Sequence, residues 1–518
     1  MMSQAVVNVN AGTLLPVLAP AIGAVAVLVT DVAVQHLRRA HYVIAVVSLL
    51  IGALGTLAGL GMVGGAARQT LCLPGTASCM YAADSVASTL QLAALLAAVV
   101  TLLLSWPDDK KTVPGGTAVI VSLVLAATAG ATAVAGARDI GSWLVALELA
   151  TLPTVALVAL RGARSAIAGG IDLLTTSLVS FGLLALAFAL WFTATGSGFL
   201  DPATAALALN DPTKRPILVL AVVVLVAGIG FKLSLVPFHA WTPEAYDGAP
   251  LPIAAFLAGV SKIAALAALL VVIRAVAPLG TPPLTAIAIV SAISMTLGNI
   301  MALRQTGAVR LLAWSTVAQA GWVVMPLAAV SSASVKASGA YLLAYVLATL
   351  LAFSVVAAMV QIRGSVRARD LAEYRGLLSE HPVLASALGL ALLSLAGLPP
   401  GFLGLVAKVA ALRPVVTSEL WLLAVIAAVN AVLGVAVYLR WLLPVISSPE
   451  VIASSDFGSA SAGSAASTLP EGTAPVAVLT RQTRAVKVHP ATLVAVGFAA
   501  VLLVLTSLNP QLLVGLLG

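Results

Sequence analysis

Residues 230–250 read GFKLSLVPFHAWTPEAYDGAP and lie at the end of an apolar run that begins near residue 216. The run is long enough for a helix that crosses a bilayer, which needs about 20 apolar residues. Pro237 has no amide hydrogen to donate to the carbonyl of Leu233, one residue beyond Lys232, so the helix is predicted to break there. The break would free polar backbone groups inside a membrane bundle, where protein or a water-lined cavity must bind them.

Apolar runs of similar length recur along the whole chain. They lie near 12–34, 41–64, 84–106, 114–137, 139–160, 167–195, 216–241, 250–278, 283–303, 307–330, 336–361, 382–412, 418–446 and 489–516. Hydrophobic residues make up 61% of the sequence and charged residues 8%, whereas a soluble domain carries roughly 25% charged residues. Strands of a membrane barrel are only about 10 residues long and alternate in polarity. The sequence therefore predicts an all-α polytopic membrane protein with about fourteen transmembrane helices.

A second interruption lies in the twelfth run, where residues 397–408 read GLPPGFLGLVAK. Broken helices at corresponding places in two halves of a membrane protein indicate inverted repeats around an ion site near the midplane. The seventh and twelfth spans are five apart. This spacing predicts five-helix repeats in 114–278 and 283–446, preceded by N-terminal helices in 1–113. The small and polar residues of SSDFGSASAGSAAS predict a flexible linker in 447–488 on the inner side, before a last span in 489–518. Ordinary proline kinks in packed helices are the alternative explanation.

Basic residues predict the orientation in the membrane. With the N-terminus outside, the inner loops hold sixteen lysines and arginines and the outer loops seven, which the positive-inside rule favours. Both termini are then outside. Cys72 and Cys79 fall in the outer loop between the second and third spans, where either a disulfide or two free thiols fit the sequence. The net charge is +8, but the basic residues form no stripe interleaved with aromatic residues. No nucleic-acid partner is therefore expected.

Three lysines remain inside the spans, Lys232, Lys262 and Lys408, and one acid, Glu148, lies in mid-span. Ionisable groups at this depth are unfavourable and usually functional. Burial favours the neutral form of a lysine, which lets it load and release a proton. By helical rise, Glu148, Lys232 and Lys262 lie at a comparable depth, so an ion pair between Glu148 and Lys232 is expected. The alternative is that the lysines reach the membrane interface along their side chains, and Lys408, close to Arg413, fits it best.

Two other polar residues are candidates for a relay. His239 lies at the break of the seventh span, although a histidine near a helix end is more often structural. Gln319 lies within the tenth span, although such an amide more often packs between helices. Neither a phosphate-binding loop nor a dinucleotide fingerprint nor an HExxH zinc pair is present, so nucleotide or metal chemistry in this chain is not expected.

The segment GFKLSLVPFHAWTPEAYDGAP, together with AGVSKIAALAALL, ELATLP, RLLAWSTVAQAGW and LAGLPPGFLGLVAK, resembles the antiporter-like subunits of respiratory complex I, and the subunit N family in particular. The resemblance covers most of the chain from the fourth to the thirteenth span. It implies that Glu148 is the glutamate partner of Lys232, that Lys262 is the central lysine, and that Lys408 is the exit lysine. The family often has histidine where this chain has Gln319. Because glutamine does not titrate, water or the hydroxyls of tyrosine and serine would have to bridge there.

The resemblance also implies the cellular setting. Protons would cross this chain in a bacterial inner membrane, among lipids and other membrane-arm subunits of complex I, including a neighbouring antiporter-like subunit and small membrane subunits. NADH, FMN, iron-sulfur clusters and quinone would be handled by partner subunits, with no cofactor in this chain. Two alternatives stay open: a subunit of a multi-subunit cation/proton antiporter, which shares the fold and the lysines, and a structural scaffold whose lysines no longer conduct.

Overall fold

Long apolar helices form the predicted spans in a computed structural model of the protein. It describes residues 9–34, 38–62, 66–74, 78–106, 116–276, 282–329, 331–448 and 488–517. Within these residues, thirteen helices are long and apolar enough to cross a membrane. A fourteenth span is built from two shorter helices, Pro382–Ala396 and Phe402–Thr417. The prediction of about fourteen spans in an all-α membrane protein is confirmed.

The first half of the chain, up to residue 276, contains eleven α-helices among its described residues. They are α1 Ala11–Ala33, α2 Arg38–Thr56, α3 Ser85–Leu104, α4 Gly116–Gly136, α5 Ile140–Ala159, α6 Arg164–Thr195, α7 Pro202–Asn210, α8 Arg215–Leu233, α9 Trp241–Gly248, α10 Leu251–Ala258 and α11 Val260–Val276. The eighth predicted span is therefore divided at Gly259 into α10 and α11.

The helices of the second half follow from residue 282. They are α12 Pro282–Leu303, α13 Ala308–Val324, α14 Ser332–Arg363, α15 Leu377–Glu380, α16 Pro382–Ala396, α17 Phe402–Thr417, α18 Trp421–Ile446, α19 Pro490–Leu508 and α20 Gln511–Gly515. The helices α10, α11, α13 and α14 are buried on almost all sides, whereas α1, α6, α18 and α19 have one face exposed at the periphery. Of the candidate site residues, Lys262 and Gln319 lie on the central helices α11 and α13, whereas Lys232 and Lys408 lie on α8 and α17.

The two predicted breaks share one construction. The helix α8 ends at Leu233, Ser234 follows with a φ of +67°, and the Val236–Pro237 peptide is cis. The helix α16 ends at Ala396, Gly397 follows with a φ of +79°, and the Pro399–Pro400 peptide is cis. Each break leaves carbonyls of the last helical turn without an intrahelical donor. The division into two inverted repeats stays a prediction.

A short hairpin lies between α2 and α3. The strands β1 Arg68–Cys72 and β2 Cys79–Ala83 pair antiparallel, with Cys72 opposite Cys79. The two cysteines form a disulfide, so of the two states left open by the sequence the structure shows the oxidised one. Residues 449–487, which make up nearly all of the predicted linker, fall outside the described residues. Five of the sixteen basic residues counted for the predicted inner loops also lie outside them: Lys110, Lys111, Arg481, Arg484 and Lys487.

Candidate functional site

Lys232 lies in the last turn of α8, where a cation suits the helix dipole. Its Nζ donates to Glu148 Oε1 at 2.8 Å and to the hydroxyls of Thr151 and Ser177, both at 3.1 Å. The side chain is 5% exposed and that of Glu148 15%. Three acceptors use all three hydrogens of an ammonium group. The expected contact between Glu148 and Lys232 is therefore present, and two hydroxyls complete it.

Lys262 lies on α11 beside the first break. Its Nζ donates to the backbone oxygen of Lys232 at 3.0 Å and to Ser234 Oγ at 2.5 Å. The same Nζ lies 4.7 Å from the ring centre of Trp241, where the ring face attracts a cation. The carbonyl that the broken helix exposes thus binds the second lysine, and Lys232 and Lys262 are linked through a single residue's backbone.

Lys408 lies on α17 beside the second break and repeats this arrangement. Its Nζ donates to the backbone oxygens of Leu395 at 3.2 Å and Ala396 at 2.5 Å, and it lies 5.7 Å from the ring centre of Trp322. The ammonium points into the protein and is buried. The alternative, in which the Lys408 side chain reaches the membrane interface, is therefore wrong. Among the described residues neither Lys262 nor Lys408 has a carboxylate partner. Releasing their protons therefore breaks no ion pair.

Gln319 lies at the centre of a buried hydroxyl network between α13, α14 and α18. Tyr341 donates its hydroxyl to Gln319 Oε1 at 2.6 Å, and Gln319 Nε2 donates to the Tyr438 oxygen at 2.8 Å. The Tyr438 hydroxyl also lies 2.6 Å from Ser315 Oγ. Tyr341 stacks on Trp322, the ring beneath the Lys408 ammonium, with 5.6 Å between ring centres. The network therefore reaches the surroundings of Lys408 from the side of α13.

His239 does not contact the three buried lysines, Lys232, Lys262 and Lys408, which we call the lysine row. It lies after the break of α8, half-buried, with its ring centre 5.2 Å from that of Trp314. Within the part of the chain that the structure describes, its buried Nδ1 has no hydrogen-bond partner. No hydrogen bond joins His239 to any of the three lysines. Its part in a relay stays a prediction without a contact to support it.

Two small cavities lie beside Lys232 and beside Gln319. One of about 20 Å³ is bounded by Thr151, Ser177, Lys232 and Trp241. The other, of about 10 Å³, lies between Gln319, Tyr341, Tyr345, Ser394 and Gly404. A cavity of roughly 10 to 15 Å³ holds one water molecule when polar groups line it. Both places are lined by hydroxyl or amide groups, so water can extend the hydrogen bonds of Lys232 and Gln319.

The fold and the site together define a class of protein: an α-helical membrane protein in which lysines are buried beside two broken helices. Residues 137–434 match the family described as NADH:quinone oxidoreductase/Mrp antiporter, transmembrane. This match covers more than half of the chain and includes Glu148 and all three lysines. The chain belongs to this family.

Curated relatives refine the assignment. The NADH-quinone oxidoreductase subunit N 2 of Streptomyces griseus is 37% identical over 83% of this chain and 81% of its own length. Subunit N of Salinispora tropica is 39% identical over 85% of each chain. Subunit 14 of the NADH-quinone oxidoreductase of Thermus thermophilus is 37% identical over 71% of this chain and 78% of its own. The resemblance to the subunit N family that the sequence motifs carried is confirmed.

Solved structures show the same fold. A chain of respiratory complex I from Thermus thermophilus matches with a TM-score of 0.73 and 30% identity over 96% of this chain and 98% of its own. A chain of an Mrp complex from a Dietzia species matches with a TM-score of 0.78 over 98% and 96% of the two chains, at 20% identity. The second similarity bears on the fold alone.

Proposed function

We propose that this chain is a proton-translocating membrane-arm subunit of an NADH:quinone oxidoreductase. The observation that carries the proposal is the first break, where Glu148 binds Lys232 and the backbone of Lys232 binds Lys262. A carboxylate beside a buried lysine stabilises the ammonium form, and separating the two removes that stabilisation. Lys232 then passes its proton toward Lys262, and the hydroxyls around Gln319 and water continue the path to Lys408.

The energy for this movement comes from outside the chain. NADH, FMN, iron-sulfur clusters and quinone are bound by partner subunits, and quinone reduction there drives the rearrangement of the Glu148–Lys232 pair. The subunits on either side would be a neighbouring antiporter-like subunit and small membrane subunits. The names of the curated relatives support this setting, in a bacterial inner membrane.

Substitution at the first break tests the proposal in the assembled complex. We expect Lys232→Ala and Glu148→Gln each to lower proton pumping at least tenfold while the complex still assembles. Each substitution removes one partner of the Glu148–Lys232 ion pair, whose separation releases the proton. The measurement is quenching of a pH-sensitive dye in proteoliposomes during NADH oxidation, with subunit content checked on native gels. Full pumping by Lys232→Ala would mean that the chain is a scaffold and would refute the proposal.

A cation/proton antiporter subunit is the second candidate. The matched family includes Mrp antiporters, and the fold of this chain is similar to that of a chain of an Mrp complex. The two candidates differ in their partners. Purification of the native complex through a tag on this chain should recover subunits with flavin and iron-sulfur absorbance. Recovery of membrane subunits alone, with sodium-dependent proton exchange in vesicles, would favour the antiporter instead.

A further inference from the structure

The short helix α9 has one buried side and one side that reaches the surface. Trp241, Thr242 and Tyr246 are buried, whereas Glu244 is exposed and Asp247 is half-buried. Side chains three or four residues apart lie on the same side of a helix. Thr242 and Tyr246 therefore share the buried side, and the two acids share the surface side.

The buried side of α9 contacts the groups that hold Lys262. Nζ of Lys262 lies 4.7 Å from the ring centre of Trp241 and donates to Ser234 Oγ at 2.5 Å. The Thr242 hydroxyl donates to the same Ser234 Oγ at 2.6 Å. A serine oxygen accepts two hydrogen bonds, so these two donors use both and turn the serine hydrogen away from the ammonium. The position of α9 therefore sets two of the contacts of Lys262.

Arg369 binds the surface side of α9 from the second half of the chain. It lies in the segment after α14, and its Nη1 donates to the backbone oxygen of Asp247 at 2.5 Å and to the Asp247 carboxylate at 2.6 Å. The last carbonyls of a helix have no donor within that helix, and a cation is favourable at this end. Arg369 therefore caps the C-terminal turn of α9 and pairs with its acid as well.

A second arginine also reaches α9 but contributes less. Arg310 on α13 lies 3.1 Å from Glu244 and 3.9 Å from the Asp247 carboxylate. The side chains of Arg310 and Glu244 are 41% and 52% exposed, and ion pairs this exposed stabilise little. The side chain of Arg369 is only 22% exposed. Of the two arginines, Arg369 is therefore the one that fixes α9.

We propose that Arg369 is a positioning residue for Lys262, acting through α9. The segment that carries Arg369 is itself anchored, because the Leu371 amide donates to the Thr306 carbonyl at 2.9 Å. Arg369 therefore gives α9 a fixed point on the second half of the chain. The inference rests on the proposed function, since it adds a residue outside the lysine row on which proton transfer at Lys262 depends.

Substitution of Arg369 in the intact complex tests the proposal. We expect Arg369→Gln to lower proton pumping at least fivefold, because a displacement of about 1 Å can slow an oriented reaction strongly. Arg369→Lys keeps a cation at the end of α9 and should retain most of the pumping. The matched control, Arg367→Gln, removes the same charge from the same segment and should pump at the native rate. The exposed Arg367 has no ion pair to any residue that the structure describes.

The packing of α9 on α6 is what could make Arg369 dispensable. Gly169 on α6 and Gly248 on α9 let the two backbones approach closely. If this packing held α9 by itself, Arg369→Gln would pump at the native rate while Lys232→Ala did not. That result would overturn the proposal and leave the proposed function intact.

A double-mutant cycle separates positioning from a general loss of stability. Thr242→Val removes the hydroxyl through which α9 reaches Ser234. If Arg369 acts through α9, Arg369→Gln should lower pumping by a smaller factor in the Thr242→Val background than in the native chain, since coupled residues are not additive. Equal factors in both backgrounds, or loss of the assembled complex on native gels, would mean that Arg369 only stabilises the fold and would overturn the proposal.

Cryo-electron microscopy of the Arg369→Gln complex measures the displacement independently of pumping. We expect the distance between Lys262 Nζ and the ring centre of Trp241 to exceed its native value of 4.7 Å. An unmoved α9 would overturn the proposal. A displaced α9, together with native pumping by Lys232→Ala, would support the positioning of Lys262 by Arg369 and count against the proposed function alone.

Discussion

Lysine and arginine differ in one property that matters at position 262. Both are cationic and can donate to the Lys232 carbonyl, but a guanidinium does not release its proton in proteins. We expect Lys262→Arg to keep the complex assembled and to lower proton pumping at least tenfold, close to the level of Lys262→Ala. Dye quenching in proteoliposomes measures pumping. Pumping by Lys262→Arg at the native rate would show that Lys262 serves only as a fixed charge.

The ionisable residues of the site were predictable from the sequence, whereas their hydroxyl partners were not. Glu148 and Lys232 stand out because charges are rare in apolar runs. Thr151 does not stand out, since threonine is common in membrane helices and its hydroxyl usually donates to its own helix. Here it does both: its hydroxyl donates to the Leu147 carbonyl at 2.8 Å and accepts from Lys232. Only the packing of α6 and α8 against α5 shows this second contact.

At the scale of elements, the contact between α16 and α17 depends on glycine. A Cβ placed on Gly404 would lie 1.7 Å from the backbone oxygen of Ser394, whereas one on Gly497 in α19 would meet nothing within 4 Å. Gly404 lies one turn before Lys408, so separating the two helices would draw the ammonium away from the Leu395 and Ala396 carbonyls.

We therefore expect Gly404→Ala to destabilise the subunit by about 1 to 3 kcal/mol, as overpacking does, and to reduce pumping. Gly497→Ala is the matched control and should leave both unchanged. Thermal unfolding of the purified complex, followed by loss of this subunit on native gels, gives the stability. If Gly404→Ala matched Gly497→Ala in stability and pumping, the packing of α16 against α17 would be looser than the structure shows.

The breaks of the helices were predictable where proline causes them and not elsewhere. Pro237 and Pro400 announce interruptions because proline removes a helical hydrogen bond. Gly259, which divides α10 from α11, gives no such signal, since glycine is frequent in membrane helices. The nine-residue helix α7 and the hairpin of β1 and β2 are too short for hydropathy to reveal. All three depend on contacts with the surrounding bundle.

At the scale of the whole molecule, the two ends of the bundle differ in the way their arginines are held. At the end with the hairpin, Arg138 and Arg274 both lie against Asp84. At the opposite end, Arg369 pairs with Asp247 at 2.6 Å. Pairing of this kind does not alter the positive-inside rule, which counts lysines and arginines rather than net charge. The orientation predicted from the sequence, with both termini outside, therefore stays a prediction that labelling can test.

The disulfide between Cys72 and Cys79 supplies that test, because disulfides persist on the oxidising side of a bacterial membrane. We expect a membrane-impermeant maleimide to label these cysteines in intact cells only after reduction. In a Cys72→Ser, Cys79→Ser background, Ser365→Cys places a thiol in the loop after α14, at the opposite end, and should react only after the cells are permeabilised. Labelling of Cys72 and Cys79 without reduction would contradict the disulfide. A need for permeabilisation there, with free access at residue 365, would reverse the orientation and place both termini inside.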